Sequence, residues 1–308
     1  MNIRAEDFGK VAVVMGGWSS ERNISLKSGK AVLKGLVEEG VNAEEVDMNK
    51  NILDILQKGN FDRVFNMVHG RGGEDGALQG ALEILQIPCT GSNVIGSAVA
   101  MDKYRTKLIW QSLGIRTPGF ALIDSKEQIK EAEELGFPLM IKAALEGSSI
   151  GIEKADNSKQ LYDSWNLVRK HNSHVIAEKW IDGEEYSASI LGREVLPIVH
   201  LRSSKNFYDY EAKYELKTTE YSVPCGLDNK RESELMDSCM NAFKAVGADG
   251  WGRVDFLIDS EDQDWLIEVN TVPGMTKRSL LPMAAKAAGI NFNQLVRRIL
   301  ESTIIHND

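Results

Sequence analysis

Two neighbouring apolar segments in the carboxyl-terminal part of the chain carry acidic residues of a kind that binds metal ions. Segments 253–258 and 265–270 have the composition of β-strands, and the polar residues between them predict a hairpin. Asp255 lies in the first segment. Glu268 and Asn270 lie two positions apart in the second, so they share one face of the predicted strand.

Carboxylate and amide oxygens suit a hard cation such as Mg²⁺, which usually bridges to the phosphates of a substrate. The hairpin therefore predicts a magnesium site that serves a nucleotide. Two other interpretations remain open at this stage. The acids could simply face water, as most acidic side chains do, and Arg253 could form a purely structural salt bridge with Asp255.

The composition limits the class of protein. With 308 residues and 43% hydrophobic residues, the chain is long enough for two or three domains with substantial cores. Its formal net charge of -9 argues against general affinity for nucleic acid or for anionic membranes, because both attract basic surfaces. A phosphate group would therefore have to be bound by individual lysines.

The cysteines and the amino terminus indicate the compartment. Cys89, Cys225 and Cys239 are an odd number at wide spacing, which predicts neither a disulfide framework nor a zinc site. The amino terminus has no signal-peptide pattern, and no apolar run reaches the roughly 18 residues of a membrane span. We expect a cytoplasmic protein that binds neither membrane nor nucleic acid.

The amino-terminal part alternates strands with helices. An apolar strand at 11–15 is followed by a glycine turn and an amphipathic helix at 24–39, and further strands are predicted at 46–48 and 64–68. A helix at 77–85 follows. This order is typical of a parallel α/β sheet, and we place the first domain at 1–95.

The rest of the chain predicts two α+β domains, at 96–183 and 184–308. The second domain has two helices, at 103–113 and 125–136, and three strands, at 120–123, 138–142 and 174–181. The third has a hairpin, a long polar and aromatic loop, a helix and the acidic hairpin, followed by two short helices. The first hairpin is formed by 185–191 and 194–201, the loop is 202–221, and the helix is 229–246.

Three further segments could contact a ligand. The small-residue loop 147–151 follows a predicted strand that carries Lys142, and its backbone could approach a phosphate, although a flexible hairpin tip is an equal alternative. Lys103 could bind phosphate or lie exposed at a helix start. Segment 207–214 combines aromatic and charged residues, as a water-excluding lid requires, or packs on the protein body.

Segment 69–76 follows a strand and so lies at the carboxyl edge of the parallel sheet, where α/β proteins bind ligands. The turn 16–22 reaches the same edge. Glu21 and His69 are therefore expected in one pocket. Alternatively, Glu21 complements a helix dipole and His69 is hydrogen-bonded within its turn.

In this order, the segments resemble those of the ATP-grasp carboxylate-amine ligases, and among them the D-alanine-D-alanine ligase family. The resemblance covers nearly the whole chain. The matching segments are 16–17 with 19–22, 69–76, 101–103, 146–151, 207–214, 252–255, and 268–275 with 279–280. It implies a three-domain ATP-grasp architecture, with ATP clamped between the central and carboxyl-terminal domains.

The resemblance also implies the site residues. ATP would be bound by Lys103, Lys142, Ser148, Ser149, Glu178, Lys179, Trp180, Ile181, Glu185 and Lys213. Two Mg²⁺ ions, replaceable by Mn²⁺, would be held by Asp255, Glu268 and Asn270. The two D-alanine sites and the reacting centre would comprise Glu21, His69, Arg253, Gly274, Ser279 and Leu280. A hydrogen-bonded set that latches the lid would consist of Glu21, Ser148 and Tyr214.

The implied activity is the ATP-dependent ligation of two D-alanines through D-alanyl phosphate for peptidoglycan synthesis in the bacterial cytoplasm, by a homodimer. Two alternatives remain. A related ligase would use D-lactate or D-serine as acceptor, but Tyr214 resembles the dipeptide-forming version. A non-catalytic ATP-binding module would regulate a partner, but the retained Arg253 and the acidic hairpin argue against it.

The chain departs from the family pattern at several positions. Trp18 occupies a turn position that usually holds a small hydroxyl residue. Lys277 and Arg278 precede Ser279 where a small or acidic residue and a histidine are more usual, and two cations there could favour a carboxylate. We therefore expect differences at the second D-alanine site.

Overall fold

The computed structural model describes residues 3–147, 152–170, 174–202 and 220–305. Four predicted site residues, Ser148, Ser149, Lys213 and Tyr214, lie outside these ranges, as does most of the predicted lid. Within the described residues, the strands form three sheets, of which one is parallel and two are antiparallel.

The amino-terminal sheet is parallel, as the alternation of strands and helices predicted. Its strand order is β2-β1-β3, and β1 is buried along six of its seven residues because helices cover the sheet. Its elements, after a short 3₁₀ turn at Ala5–Phe8, are β1 (Lys10–Gly16), α1 (Arg22–Glu38), β2 (Asn42–Met48), α2 (Ile52–Lys58), β3 (Arg63–Asn66), α3 (Ala77–Ile84) and α4 (Val94–Met101).

The central sheet is antiparallel, with strand order β4-β7-β5-β6. Helices α6 and α7 accompany it, and its hydrophobic core is built entirely from residues 121–177. The elements of this region are α5 (Lys103–Ser112), β4 (Phe120–Ile123), α6 (Ile129–Glu133), β5 (Leu139–Ala143), β6 (Glu153–Ala155), α7 (Ser158–Val168) and β7 (Val175–Lys179).

The carboxyl-terminal sheet has the order β11-β10-β8-β12-β13, with β9 paired to β8, and is antiparallel. The predicted acidic hairpin is confirmed as β12 and β13. The elements are β8 (Gly183–Leu191), β9 (Glu194–Val195), β10 (Val199–Arg202), β11 (Glu220–Ser222), α8 (Asn229–Ala245), β12 (Trp251–Asp259), β13 (Asp264–Asn270), α9 (Leu280–Ala287) and α10 (Phe292–Ile305).

Two sequence-based expectations about this region were wrong. Segment 194–201 is not one strand, because Pro197 has no N–H to donate and divides it into β9 and β10. The final helix is not short. It contains 14 residues and packs Leu295 and Ile299 into the core.

The amino-terminal and carboxyl-terminal sheets share one hydrophobic core. Val11 and Met15 of β1 pack in it together with Trp251 of β12 and Leu281 of α9. Helix α5 packs Trp110 against the other face of the carboxyl-terminal sheet. These contacts fix the edge of the parallel sheet beside the acidic hairpin. The domain limits 1–95, 96–183 and 184–308 stay predictions.

Among the described residues, no helix is both long and apolar enough to cross a membrane.

Candidate active site

One face of the carboxyl-terminal sheet carries the polar residues of the acidic hairpin. Asp255 lies directly opposite Glu268, and Arg253 lies opposite Asn270. The register shifts after Asp255, so that Ile267 is an extra residue in β13. This bulge lets both Leu266 and Val269 enter the core while Glu268 and Asn270 keep the polar face.

Asp255 is held from three sides. Arg253 donates from Nε to Oδ1 at 2.7 Å and from Nη2 to Oδ2 at 2.8 Å, a bidentate geometry that fixes both groups. Ser187 of β8 donates to Oδ1 at 2.7 Å, and the amide nitrogen of Asn270 donates to Oδ2 at 3.1 Å. The salt bridge between Arg253 and Asp255, which was one of the alternatives, is therefore present. It fixes Asp255, which was also predicted to bind the metal.

Glu268 faces a second cation. Nζ of Lys103 lies 3.4 Å from its Oε2 and donates to the backbone carbonyl of Glu146 at 2.6 Å. Lys103 thus joins β13 to the start of the small-residue loop. Because Gly147 follows Glu146, this lysine lies where the predicted phosphate loop begins.

The donor set of this face suits Mg²⁺. Asp255 and Glu268 offer carboxylate oxygens from paired strands, and Asn270 uses its amide nitrogen toward Asp255, which leaves the amide oxygen available. Within the described ranges, no three His, Cys, Asp or Glu side chains converge, so this face offers two carboxylates and one amide and no closed cage of protein ligands. An ion here would complete its coordination with oxygens of a substrate, as Mg²⁺ commonly does.

A buried cluster of Lys107, Lys142 and Glu178, called here the lysine-glutamate cluster, joins the central sheet to α5. Nζ of Lys142 lies 2.9 Å and Nζ of Lys107 3.5 Å from the same Oε2 of Glu178. Burial alone would raise the pKa of Glu178, but the charges of Lys107 and Lys142 outweigh it and lower this pKa. Burial lowers the pKa of Lys107 to about 8, although Glu178 opposes the shift.

Sequence reasoning did not identify Lys107. A signal was present, because Lys103, Lys107 and Trp110 are spaced along one face of α5, and a lysine on the face that carries a core tryptophan must be buried.

The other predicted nucleotide residues lie around the exit of the central sheet. Nζ of Lys179 donates to the carbonyls of Gly136 and Phe137, so its side chain is used structurally. The ring of Trp180 lies under Nζ of Lys154 at 4.7 Å. Ile181 follows β7 and is partly buried. Glu185 is also partly buried and lies in β8, opposite Leu257 and Leu201.

The structure brings Glu21 and His69 together. Glu21 is buried at the start of α1, and its Oε2 lies against two glycines. A Cβ would lie 3.0 Å from it at Gly70, where φ is +70°, and 2.9 Å from it at Gly147. A side chain at either glycine would press on the carboxylate, and at Gly70 the left-handed backbone conformation also favours glycine.

His69 is almost fully buried, and its Nε2 has no hydrogen-bond partner among the described residues. Burial lowers its pKa, with a further contribution from Arg253, while Glu21 and the backbone of Val272 oppose the shift. The neutral imidazole is therefore favoured. It lies between the parallel sheet and the loop that follows β13.

Glu74 is a further site residue that sequence reasoning did not single out. It accepts hydrogen bonds from the amides of Gly70 at 2.6 Å and Val272 at 3.3 Å. Burial, together with repulsion from Glu21, raises its pKa to about 8. The signal available in the sequence was its place in the 69–76 segment, but burial of a turn carboxyl follows from tertiary packing.

The loop after β13 closes the site. Met275 donates its amide to Oγ of Ser28 on α1 at 3.1 Å, and Thr276 donates its amide to Oγ of Ser279 at 3.0 Å. Gly274 adjoins Ser279, whose Oγ would lie 3.0 Å from a Cβ there. The side chain of Leu280 is buried in the core, so only its backbone could meet a ligand. Lys277 and Arg278 are exposed beside Ser279.

The comparisons with known proteins agree with this geometry. Two adjacent family descriptions match, D-ala D-ala ligase N-terminus over residues 42–92 and D-ala D-ala ligase C-terminus over 109–301. The chain is 52% identical to the D-alanine-D-alanine ligase of Methylococcus capsulatus, over 97% of each protein. The chain belongs to the D-alanine-D-alanine ligase family.

Further relatives support the same assignment. The D-alanine-D-alanine ligase of Pseudomonas fluorescens is 50% identical over 98% of this chain and 94% of its own length. The crystal structure of the Bacillus anthracis ligase matches with a TM-score of 0.87 and 34% identity, covering 96% of this chain and 97% of that one. The same ligase complexed with ATP has a TM-score of 0.85 at 31% identity, with the same coverage. The predicted family and the predicted mixed α/β ATP-grasp fold are thereby confirmed.

Proposed function

We propose that this chain is an ATP-dependent ligase that joins two D-alanine molecules into D-alanyl-D-alanine, with ADP and phosphate as the other products, for peptidoglycan synthesis. The observation that carries the proposal is the convergence of three separate segments on one site. Glu21 and His69 come from two loops at the edge of the parallel sheet, which are joined by a 2.7 Å hydrogen bond from Oγ of Ser19 to the carbonyl of His69. The acidic hairpin that carries Arg253 continues into the loop at Val272, whose amide donates to Glu74 at 3.3 Å. Full-length identity of 52% to a D-alanine-D-alanine ligase supports it.

In the first half-reaction, a carboxylate oxygen of one D-alanine attacks the γ-phosphorus of ATP, the bond to the β,γ-bridging oxygen breaks, and ADP leaves. Positioning and neutralisation of charge are the protein's contribution to such a step. Lys103 and Lys142 supply positive charge for the phosphates, and Glu21 holds the ammonium group of the first D-alanine. Neutral His69 fills the pocket beside it without repelling that ammonium.

In the second half-reaction, the amine of the second D-alanine attacks the acyl carbon of D-alanyl phosphate, phosphate leaves, and the amide forms. Arg253 and the backbone at Gly274 stabilise the oxyanion that develops. Asp255 keeps the guanidinium in place through two hydrogen bonds. Ser279 and the backbone of Leu280 receive the second D-alanine.

Asp255, Glu268 and Asn270 would hold Mg²⁺, with Mn²⁺ as a substitute. When bound, the ion supplies charge neutralisation for the transferring phosphoryl group. Arg253 and Lys103 lie against the two carboxylates. Ser148, Ser149, Lys213 and Tyr214 lie outside the described residues and complete the proposed site, with Ser148 and Tyr214 linked to Glu21.

The direct test is incubation with ATP, Mg²⁺ and D-alanine, followed by measurement of released phosphate and of the dipeptide by mass spectrometry. Equal amounts of phosphate and D-alanyl-D-alanine are expected. ATP binding without either product would instead favour the non-catalytic module.

Arg253→Ala should lower turnover by about 10²- to 10³-fold, because it removes a donor to the oxyanion. ATP affinity should change little, since Arg253 contacts the acyl group in this mechanism. Arg298→Ala is the control, because it removes the same kind of side chain from an exposed position on α10, outside the site. An unchanged turnover number in Arg253→Ala would remove the assigned role.

The identity of the second substrate, which accepts the D-alanyl group, needs a separate test. The chain is also similar to the VanG D-Ala:D-Ser ligase of Enterococcus faecalis, with a TM-score of 0.84 and 28% identity, covering 96% of this chain and 99% of that one. The D-alanine ligases are much closer in sequence, which supports D-alanine as acceptor. Competition between D-alanine, D-serine and D-lactate near neutral pH distinguishes the three.

We place the reaction in the bacterial cytoplasm, in a homodimer. The substrates ATP and D-alanine are small molecules, and the net charge of -9 gives no basis for binding nucleic acid. Sedimentation of the purified chain tests the dimer.

A further inference from the structure

Lys107 has an environment that few lysines occupy. Its side chain has 0% exposure to solvent. Nζ donates to Oγ1 of Thr117 at 2.6 Å and lies 3.5 Å from Oε2 of Glu178. A buried ammonium is costly unless it is paired, so its retention here points to a specific task for the pair.

The lysine is part of a chain of contacts between two sheets. Thr117, which accepts from Lys107, donates to the backbone carbonyl of Leu266 at 2.8 Å. Leu266 lies in β13 two residues before Glu268, and its own amide donates to the carbonyl of Arg116. Glu178, at the other end, lies in β7 of the central sheet. Lys107 therefore connects the strand proposed for the nucleotide to the strand proposed for the metal.

The two carboxylate oxygens of Glu178 differ in their contacts. Oε2 faces both Lys107 and Lys142, whereas Oε1 is buried and has no hydrogen-bond partner among the described residues. The residue is only 2% exposed. Buried acceptors are nearly always paired, so Oε1 is suited to a donor that arrives with a ligand. The proposed function places the adenine base of ATP against residues 178–181, and the exocyclic amino group of adenine is such a donor.

We infer that Lys107 is a positioning residue for nucleotide selection, which keeps the Glu178 carboxylate charged and oriented so that Oε1 accepts a hydrogen bond from the 6-amino group of the base. The inference rests on the proposed function for the location of the base. Lys142 alone would hold Oε2 from the side of the central sheet. Lys107 adds a second cation from α5 and leaves the carboxylate one orientation.

The charged surroundings agree with this role. Lys107 is faced by Glu178 from β7, Lys142 from β5 and Glu268 from β13. If the charge of Lys107 is removed, only Lys142 in this cluster offsets the cost of burying the Glu178 carboxylate. The protonated carboxyl of Glu178 is then favoured. A neutral acceptor makes a hydrogen bond about half as strong as a charged one. The amino group of adenine would then contribute less to binding.

The experiment compares ATP with purine riboside triphosphate, which lacks the 6-amino group, by calorimetric titration of the full chain with Mg²⁺ at pH 7. In the unsubstituted protein, ATP should bind about tenfold or more tightly than the analogue, the usual effect of a hydrogen bond to a charged group. In Lys107→Met this ratio should fall to about three or below, mainly through weaker binding of ATP.

Trp110→Phe is the matched control. Trp110 lies one turn along α5, is equally buried, and donates from Nε1 to the carbonyl of Ala242 at 3.0 Å. Its substitution should lower the thermal stability without changing the ratio. A ratio that falls equally in Trp110→Phe and Lys107→Met would show general loosening of the helix and overturn the inference.

Two further results would also overturn it. One is a ratio near one in the unsubstituted protein, and the other is an unchanged ratio in Lys107→Met. If Lys107→Met does not fold, Lys107→Gln serves in its place, because it keeps a donor for Thr117 and loses only the charge. Binding is measured without turnover. A chain that makes no dipeptide, but whose preference for ATP falls in Lys107→Met and not in Trp110→Phe, would contradict the proposed function and support the role of Lys107.

Discussion

Glu178 and Glu74 are both buried carboxyls of the same candidate active site, but their pKa values shift in opposite directions. At Glu178 two lysines outweigh burial, and the pKa is lowered. At Glu74, burial and the neighbouring Glu21 raise the pKa to about 8, because two backbone amides and the charge of Lys103 do not compensate. The comparison shows that burial alone does not decide the charge of a carboxyl. The charge follows from whether a cation shares the buried volume.

The two glutamates also lie in regions with different tasks. Glu178 is part of the lysine-glutamate cluster between α5 and the central sheet, where a carboxylate is suited to accept a hydrogen bond from the adenine base of a nucleotide. Glu74 connects the turn at Gly70 to the loop at Val272, where a proton-carrying carboxyl can approach Glu21 without full repulsion. The following substitutions test this difference.

Glu178→Gln should have the largest effect on stability. It leaves Lys107 and Lys142 buried without their shared anion, and breaking a buried ion pair typically costs about 3–5 kcal/mol. The free energy of unfolding from urea titration at pH 7 measures this. Glu83→Gln, which changes the same atoms in an exposed residue of α3, is the control. A decrease of less than about 1 kcal/mol in the free energy of unfolding would mean that the two lysines can remain buried without Glu178.

The acidic hairpin could be predicted from the sequence because a hairpin depends mainly on residues that are close together in the chain. The alternation in β12 and the polar turn determine the strands, and pairing then places Asp255 opposite Glu268. The bulge at Ile267 was not predictable in this way, since it depends on which side chains the core accepts. The break at Pro197 was predictable in principle, because proline cannot complete a strand ladder.

The carboxyl charge states could not be predicted from the sequence. Lys107 and Glu178 are 71 positions apart, and nothing local in either segment indicates that they share a buried volume. Glu74 is similar, because the repulsion from Glu21 arises only when two loops meet at the edge of the parallel sheet. The motifs indicated which segments meet at the candidate site, but the charges of these carboxyls depend on tertiary packing.

Glu74→Gln should change the pH dependence of stability. The folded-state pKa of about 8 exceeds the ordinary glutamate value of 4.5, so between these values the folded state binds more protons than the unfolded state. The free energy of unfolding should therefore fall as pH rises through this range, by at most about 1.4 kcal/mol per pH unit for one group. The variant should lack this contribution and be relatively more stable at pH 8. Equal slopes in both proteins, from urea titrations at pH 5, 6.5 and 8, would show that Glu74 is ionised throughout.

Asp47→Asn should have the smallest effect, although Asp47 also has an arginine partner. Hydrogen bonds from Arg22 lower the pKa of Asp47, with contacts of 2.7 Å to Oδ1 and 2.5 Å to Oδ2. Both side chains are more than two-fifths exposed, so water and salt screen the pair, and such pairs contribute about 1 kcal/mol or less. Urea titration at low and at high salt measures this contribution, which should shrink as salt is added. Suppose that Asp47→Asn decreases the free energy of unfolding as much as Glu178→Gln does. The stabilisation from a cation-carboxylate pair in this protein would then depend on the number of hydrogen bonds and not on burial.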